Sequence, residues 1–227
     1  MMHSRAQAAA TLIVRQLGRR DYLPVLHAMQ NFTLQRKPDS VDEIWLVEHP
    51  PVFTQGLNGK DHHILDAGNI PVVPVDRGGQ VTYHGPGQLV AYLLLDLQRL
   101  GLGVRGVVTR IEQAIIDLLG DYAIEAHGRR DAPGVYVVDK KIAALGLRIK
   151  KGCCYHGLSF NIDMDLEPFS RINPCGYPDL AVTQLAELGI AEPMEKIAAQ
   201  LVDQLNQQLG YTELLNEPAD KIIFDAR

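Results

Sequence analysis

Between residues 134 and 162 the chain turns back on itself twice, and this stretch limits the possible folds more than any other. Gly134–Val138, Lys141–Ile149 and Cys153–Ile162 each alternate apolar and polar residues, the two-residue period of a strand with one buried face. Only Asp139-Lys140 and Lys150–Gly152 separate them. Connections this short join antiparallel neighbours and leave no room for a crossover helix. The spacing therefore predicts an antiparallel meander and argues against a doubly wound parallel sheet.

The other segments fit around it. Thr11–Leu17 alternates and reads as a strand. Asp21 can cap a helix from Tyr22 to about Arg36 that offers Leu23, Leu26 and Phe32 to the core. Ile44–Glu48 is a short apolar strand ended by His49-Pro50-Pro51, and the prolines of Pro71–Asp76 confine that strand to an edge. Gln88–Leu97 is a long, nearly all-apolar strand. Val104, Val107, Val108, Ile111, Ile115, Leu118 and Leu119 recur at helical spacing. Ala123–Ala126 reads as a short strand and Ser170–Tyr177 as a loop. Thr183 can cap a short helix, Gln184–Leu188, and Glu192–Leu209 is a longer one. Strands and separated helices of this kind indicate an α+β fold: a mixed, largely antiparallel sheet with flanking helices. One catalytic domain, 1–227, is expected, with 1–10 outside its ordered body and 183–227 packed on it as a helical part.

With 46% hydrophobic and 22% charged residues, the chain can build a sizeable core and is not expected to be disordered. Its net charge of −5 is modest, which points away from general nucleic-acid binding. Arg148, Lys150 and Lys151, with Arg129 and Arg130 nearby, form a local basic cluster that either steers an acidic partner or is a solvated strand end. The N-terminus lacks the apolar stretch of a secretory signal, and no run is long enough to span a membrane. Three cysteines, Cys153 and Cys154 adjacent, make neither a disulfide framework nor a zinc site. A reduced, cytoplasmic protein is expected. His62 and His63 read as solvated loop residues, since neighbours on a chain point apart and no further ligand follows at metal spacing.

Two stretches carry candidate chemistry. Arg77-Gly-Gly-Gln-Val-Thr-Tyr-His-Gly-Pro-Gly-Gln88 sets glycine turns on either side of a short strand, Gln80–His84, dense in polar side chains. It matches neither a phosphate-binding P-loop nor a dinucleotide fingerprint, and the chain has no nucleophile elbow. Cys175 sits in Asn173-Pro-Cys-Gly176, where proline and glycine fix a bend that can present the sulfur. An unperturbed thiol has a pKa of ~8.5, so a neighbouring base or cation is needed to activate it. The base is Lys140 or Lys141, one of which must face inward by strand alternation, or else His84 or His156. Spacing alone does not choose among them.

Together these blocks resemble the lipoyl(octanoyl) transferases, the protein octanoyltransferases of lipoate synthesis. The resemblance rests on Arg77–Gln88, then Lys141-Ile-Ala-Ala-Leu-Gly146, Tyr155-His-Gly-Leu-Ser-Phe-Asn161 and Asn173-Pro-Cys-Gly176, in that order. It covers roughly 44 to 185. It implies a fold similar to the catalytic domain of biotin and lipoate protein ligases, and transfer of an octanoyl group from acyl carrier protein to a lysine on lipoyl domains of 2-oxo acid dehydrogenases and the glycine cleavage H protein. It implies Cys175 as the acyl-thioester nucleophile and Lys141 as the residue that activates it. Acyl-binding segments carry over onto Arg77, Gly78, Gly79, Gln80, Val81, Thr82, Tyr83 and His84, onto Ala144, Leu145 and Gly146, and onto Gly157, Leu158 and Ser159. No cofactor and no metal are implied. Both partners of such enzymes are acidic, and no contact with nucleic acid or membrane is expected.

The chemistry then has a definite shape. A thioester donor and a thioester intermediate lie close in energy, while amide formation drives the second step. The acceptor amine is protonated in solution, so a base must take its proton on attack. A charged lysine cannot do this; the resemblance implies one neutralised by burial or sharing a proton with the cysteine. Backbone N–H groups near Gly146 and Gly157 are expected to serve the developing oxyanion. Leu145, Leu158 and Tyr92 are candidates for the apolar slot. Cys153-Cys154 departs from the family pattern and suggests sensitivity to oxidation. The rival readings are an ATP-dependent lipoate or biotin ligase, a Cys-His hydrolase using His84 or His156, and a non-catalytic acyl-binding module.

Overall fold

The computed structural model describes residues 11–174, 177–178 and 180–224. Its frame is an eight-stranded sheet in the order β11-β1-β2-β6-β10-β9-β8-β7, beside a three-stranded sheet β4-β3-β5. The large sheet contains β1 (Thr11–Arg19), β2 (Asp42–Glu48), β6 (Gln88–Asp96), β7 (His127–Gly128), β8 (Gly134–Val137), β9 (Lys140–Lys150), β10 (Cys153–Asn161) and β11 (Glu213–Glu217). The small one contains β3 (Val52–Gln55), β4 (Val72–Pro74) and β5 (Val81–His84). The meander forms as expected, with β8, β9 and β10 antiparallel in turn and β10 continuing antiparallel onto β6. Parallel pairing is confined to β1 with β2 and β11, and to β3 with β4. The sheet is mixed and largely antiparallel.

Strand β6 shows why its sequence is apolar without alternation. Leu89, Ala91, Leu93 and Leu95 pack into a core formed with helices α2 (Val104–Asp121) and α3 (Met194–Leu209). Val90, Tyr92 and Leu94 face the other way, into a second core under helix α1 (Tyr22–Gln35). A central strand covered on both faces has no solvent side to make polar. Helices α2 and α3 bury matching stripes, Val107, Ile111, Ile115 and Leu118 against Ile197, Leu201 and Leu205. Each such side chain contributes about 1.5–3 kcal/mol on burial.

Several expectations need correction. Asp21 stands at the start of α1 but makes no capping bond, and Leu23 is exposed. Ala123–Ala126 is not a strand; the two-residue strand forms at His127–Gly128, after Ala123 takes a φ of +58° at the end of α2. Gln184–Leu188 shortens to a 3-10 turn, Ala186–Leu188, and the Thr183 hydroxyl donates to Glu187 Oε2 at 2.8 Å instead of capping backbone. The end of the chain is more than a helical cap, because β11 extends the sheet beside β1. Pro71–Asp76 does supply an edge strand, β4, of the small sheet.

Candidate active site

The glycine-rich stretch folds across β9 and β10. Gly78 N donates to Leu147 O at 2.9 Å, tying it to β9, while Gly56 N and Asn58 N donate to Gln80 O and Gly79 O. The Arg77 guanidinium turns inward, donating to Thr54 O at 2.6 Å, to Thr54 Oγ1 at 2.9 Å and to Gly78 O at 3.0 Å. It holds the turn in shape. Beneath lies a cleft lined by Arg77, Gly79, Gln80, Val81, Thr82 and His84 from this stretch, Ala144–Gly146 from β9 and His156–Ser159 from β10, and closed by Tyr22 and Tyr92. Three separate sequence blocks thus share one cavity. It holds about 50 Å³ of free space, roughly four water-sized positions, a file one chain wide.

Strand alternation decides what each residue gives this cleft. Gly157 pairs with Gly146 and Ser159 with Ala144, and these small residues form its floor. Leu158 pairs with Leu145 on the opposite face, where both pack toward α2 and α3, so their contribution to the cleft is backbone. A Cβ on Gly157 would meet Ala91 O at 2.0 Å, a backbone contact that cannot yield cheaply. Gly87, with φ +83°, is equally constrained: a Cβ there would meet Asp163 O at 1.8 Å. Tyr83 points away from the cleft into a small cluster with Phe53 and Phe169.

His84 is not placed to act as a base. Its Nδ1 is 2.7 Å from Gln88 Oε1 and its Nε2 is 3.3 Å from Thr54 Oγ1. Gln88 Nε2 donates to Asn161 Oδ1 at 2.9 Å, which turns its carbonyl toward His84 and makes Nδ1 the donor. Burial, with His49 nearby, lowers the His84 pKa to about 3. His49, held between Arg20 O and the Tyr92 hydroxyl, falls to about 4 for the same main reason. Both rings are neutral structural bridges. The amide chain continues: Asn161 Nδ2 donates to Thr183 O at 2.9 Å, and Thr183 N donates to Lys141 O at 2.9 Å.

His156 has a φ of +60°, in the left-handed region that histidine adopts only occasionally. Its Nε2 lies 3.0 Å from Asp76 Oδ1. Burial lowers its pKa although the carboxylate opposes this. Burial alone would raise the Asp76 pKa, but hydrogen bonds from His156 and Tyr155 outweigh it and bring it to about 2. On the ladder His156 stands opposite Leu147, six residues and roughly 20 Å along β9 from Lys141. The Lys141 side chain runs along the strand: its Nζ lies 3.2 Å from where a Cβ on Gly134 would be, and Gly134 pairs with Ala144, two residues before Gly146.

Of the two lysines, Lys141 faces inward, 3% exposed, and Lys140 outward. Lys141 Nζ donates to Pro133 O at 3.2 Å and lies 5.2 Å above the Tyr136 ring. Cys175 itself lies outside the described residues. On its N-terminal side Asn173 N donates to His63 O at 2.8 Å; on its C-terminal side Tyr177 OH reaches Asp131 O at 3.4 Å and the chain bridges Lys141 at Val182. Cys153 and Cys154 are buried, and burial raises both thiols, Cys154 to about 12. This makes them poor targets for oxidation, contrary to expectation. Among the described residues no cluster suited to a metal ion occurs.

Tyr22, which lines the cleft, escaped sequence reasoning. So did three residues behind the lining: His49 bonded to Tyr92, Asp76 to His156, and Asn161 holding Gln88 on His84. Long-range pairing leaves no local signal of these contacts, although Asn161 closes a block already singled out.

Residues 21–206 match the lipoyl protein ligase A/B catalytic domain. The chain is 59% identical over 206 residues to an octanoyltransferase of Shewanella sp. (strain MR-7), covering 91% of this chain and 95% of that protein. It is 61% identical over 205 residues to one of Pseudomonas putida, covering 90% and 95%. The chain belongs to the octanoyltransferase family. As such it is an acyltransferase of protein lipoylation. Its fold is similar to that of lipoate-protein ligase A bound with ATP, with a TM-score of 0.76 at 12% identity, covering 94% of this chain and 90% of that one. It is also similar to a biotin protein ligase from Aquifex aeolicus in complex with biotin and ATP, with a TM-score of 0.54 at 10% identity, covering 88% and 70%.

Proposed function

We propose that this octanoyltransferase moves an octanoyl group from octanoyl-acyl carrier protein to a specific lysine of a lipoyl domain, of 2-oxo acid dehydrogenases or of the glycine cleavage H protein, through a thioester on Cys175. In the first step the Cys175 thiolate attacks the donor carbonyl, and the carrier's thiol leaves with a proton. In the second, the acceptor amine attacks the Cys175 thioester, the amide forms, and the Cys175 sulfur leaves. Lys141 takes the thiol proton in one step and accepts that of the amine in the other. The acyl chain lies over Ala144–Gly146 and Gly157–Ser159, under Arg77–Thr82. Backbone N–H groups near Gly146 and Gly157 supply some of the oxyanion donors.

The observation that carries this reading is the position of Lys141. It is buried beside the cleft, on the strand to which the chain beyond Cys175 returns. The fold is shared with ATP-using ligases, so the deciding experiment omits nucleotide. Octanoyl-acyl carrier protein, a lipoyl domain and the enzyme alone are expected to give an octanoylated lysine; an absolute ATP requirement would refute the transferase reading. The hydrolase alternative is disfavoured by His84, whose two ring nitrogens are both engaged. No described helix is long and apolar enough to cross a membrane, and we place the reaction in the cytoplasm, where both partners are expected.

A further inference from the structure

Tyr22 and Tyr92 close the cleft, and Tyr22 also borders a second space. Tyr22, the first residue of α1, is 4% exposed and stacks on His84 with ring centroids 5.9 Å apart and planes 13° from parallel. His49 ties it to the deep wall, 5.0 Å from the Tyr22 ring and 5.9 Å from that of Tyr92. This second space is larger: a groove of about 480 Å³ walled mainly by apolar residues, among them Leu23, Pro24, Pro51 and Val73, with Asp21 as a charged member. Tyr22 is the one residue common to both linings.

The two ends of the cleft are chemically distinct. Lys141 leans toward β8, with its Nζ on Pro133 O and over Tyr136. Tyr22 stands near Tyr92 on β6, three strand spacings or roughly 14 Å away across the sheet. Lys141 Nζ reaches beside Gly134, in register with Ala144, and Tyr92 is in register with Gly157, so a chain whose carbonyl sits at Lys141 and which follows the cleft points its methyl end toward the Tyr22 ring. From these observations we propose that Tyr22 sets the acyl chain length: its ring is the partition between the slot and the apolar groove, and removing it joins the two. This rests on the reading of the cleft as the acyl site. The groove needs no reshaping to take extra methylenes, because it is already apolar and open. Leu23, 41% exposed, is an apolar side chain on its wall.

The test compares acyl loading from octanoyl-, decanoyl- and dodecanoyl-acyl carrier protein by intact mass, for the full chain and its variants. Tyr22→Ala is expected to raise the dodecanoyl-to-octanoyl rate ratio by about tenfold or more, the discrimination that a few methylenes carry in an apolar pocket. Tyr22→Leu, which keeps an apolar side chain and protects the fold, is expected to shift the ratio the same way by a smaller factor. Tyr22→Phe keeps the ring and hence the profile, whatever it does to rate. Adding Val73→Trp to Tyr22→Ala fills the groove and is expected to return the ratio toward wild type. If wild type takes octanoyl and the folded Tyr22→Leu or Tyr22→Ala variant keeps its chain-length profile, the partition role is overturned while the acyl site stands. If wild type takes no octanoyl at all, the acyl-site reading itself fails.

Discussion

Replacing Asn161 by leucine tests whether the buried amide chain holds the catalytic strand. Asn161 is 4% exposed, accepts from Gln88 Nε2 and donates to Thr183 O, both at 2.9 Å. Leucine has similar bulk and neither bond. It strands one buried N–H on Gln88 and the carbonyl of Thr183. Each stranded group costs ~1–3 kcal/mol, so the loss is about 3 kcal/mol after the added apolar contact is counted. For a chain of this size that lowers Tm by roughly 6–12 °C. Because Thr183 N in turn bonds Lys141 O, the lysine and the loop return shift together, and acyl loading is expected to fall by ~100-fold, the effect of about 1 Å of misplacement. Thermal melts by circular dichroism and loading rates at 20 °C below the variant's own Tm, a margin of several kcal/mol by the same scaling, give the two readouts. A Tm within about 2 °C of wild type, or normal loading in the folded variant, would refute the chain of hydrogen bonds as a positioning device.

Three further expectations follow from the same geometry. Lys141→Ala abolishes transfer while Lys140→Ala retains it, because only Lys141 is buried at the cleft; equal loss in a transfer assay would contradict this. Lys150→Glu with Lys151→Glu, both exposed at the β9–β10 turn, raises KM for an acidic partner, more at low salt than at high; a KM unchanged at low ionic strength would return the pair to a solvated strand end. Stability falls as pH drops below about 6.5, the ordinary histidine value, because the unfolded chain protonates there while folded His49 and His84 wait until about 4 and 3. Each contributes a slope of up to ~1.4 kcal/mol per pH unit. Asp76, with its pKa lowered to about 2, adds stability above the usual carboxylate range that is lost as pH falls toward 2. Denaturant melts at pH 7, 6 and 5 that give the same stability would contradict the neutral buried histidines.

The fold was legible where a pattern was both long and local. The meander followed from alternation and short turns, β6 from an apolar run that nothing interrupts, and α2 from apolar residues at helical spacing. Strand β3 was not, since four residues after Pro50-Pro51 offer too little period, and β11 was not, since an edge strand pairing on one side needs little hydrophobic pattern. The three blocks expected to bind the acyl chain came from a family resemblance, and one cavity is lined by most of their residues. Parity required that one of Lys140 and Lys141 face inward, the resemblance chose Lys141, and Lys141 is the buried one. The roles of Tyr22, Asp76 and Asn161 were not legible. A tyrosine opening a helix reads as core and an aspartate after an edge strand reads as a turn; only the tertiary fold brings Tyr22 to the cleft and Asp76 to His156.

The most direct test of the account is the intact mass of the enzyme after incubation with octanoyl-acyl carrier protein and no nucleotide. The predicted result is a gain of one octanoyl group, lost on adding a lipoyl domain and absent in Cys175→Ala. No gain, or a gain that persists in Cys175→Ala, would contradict it.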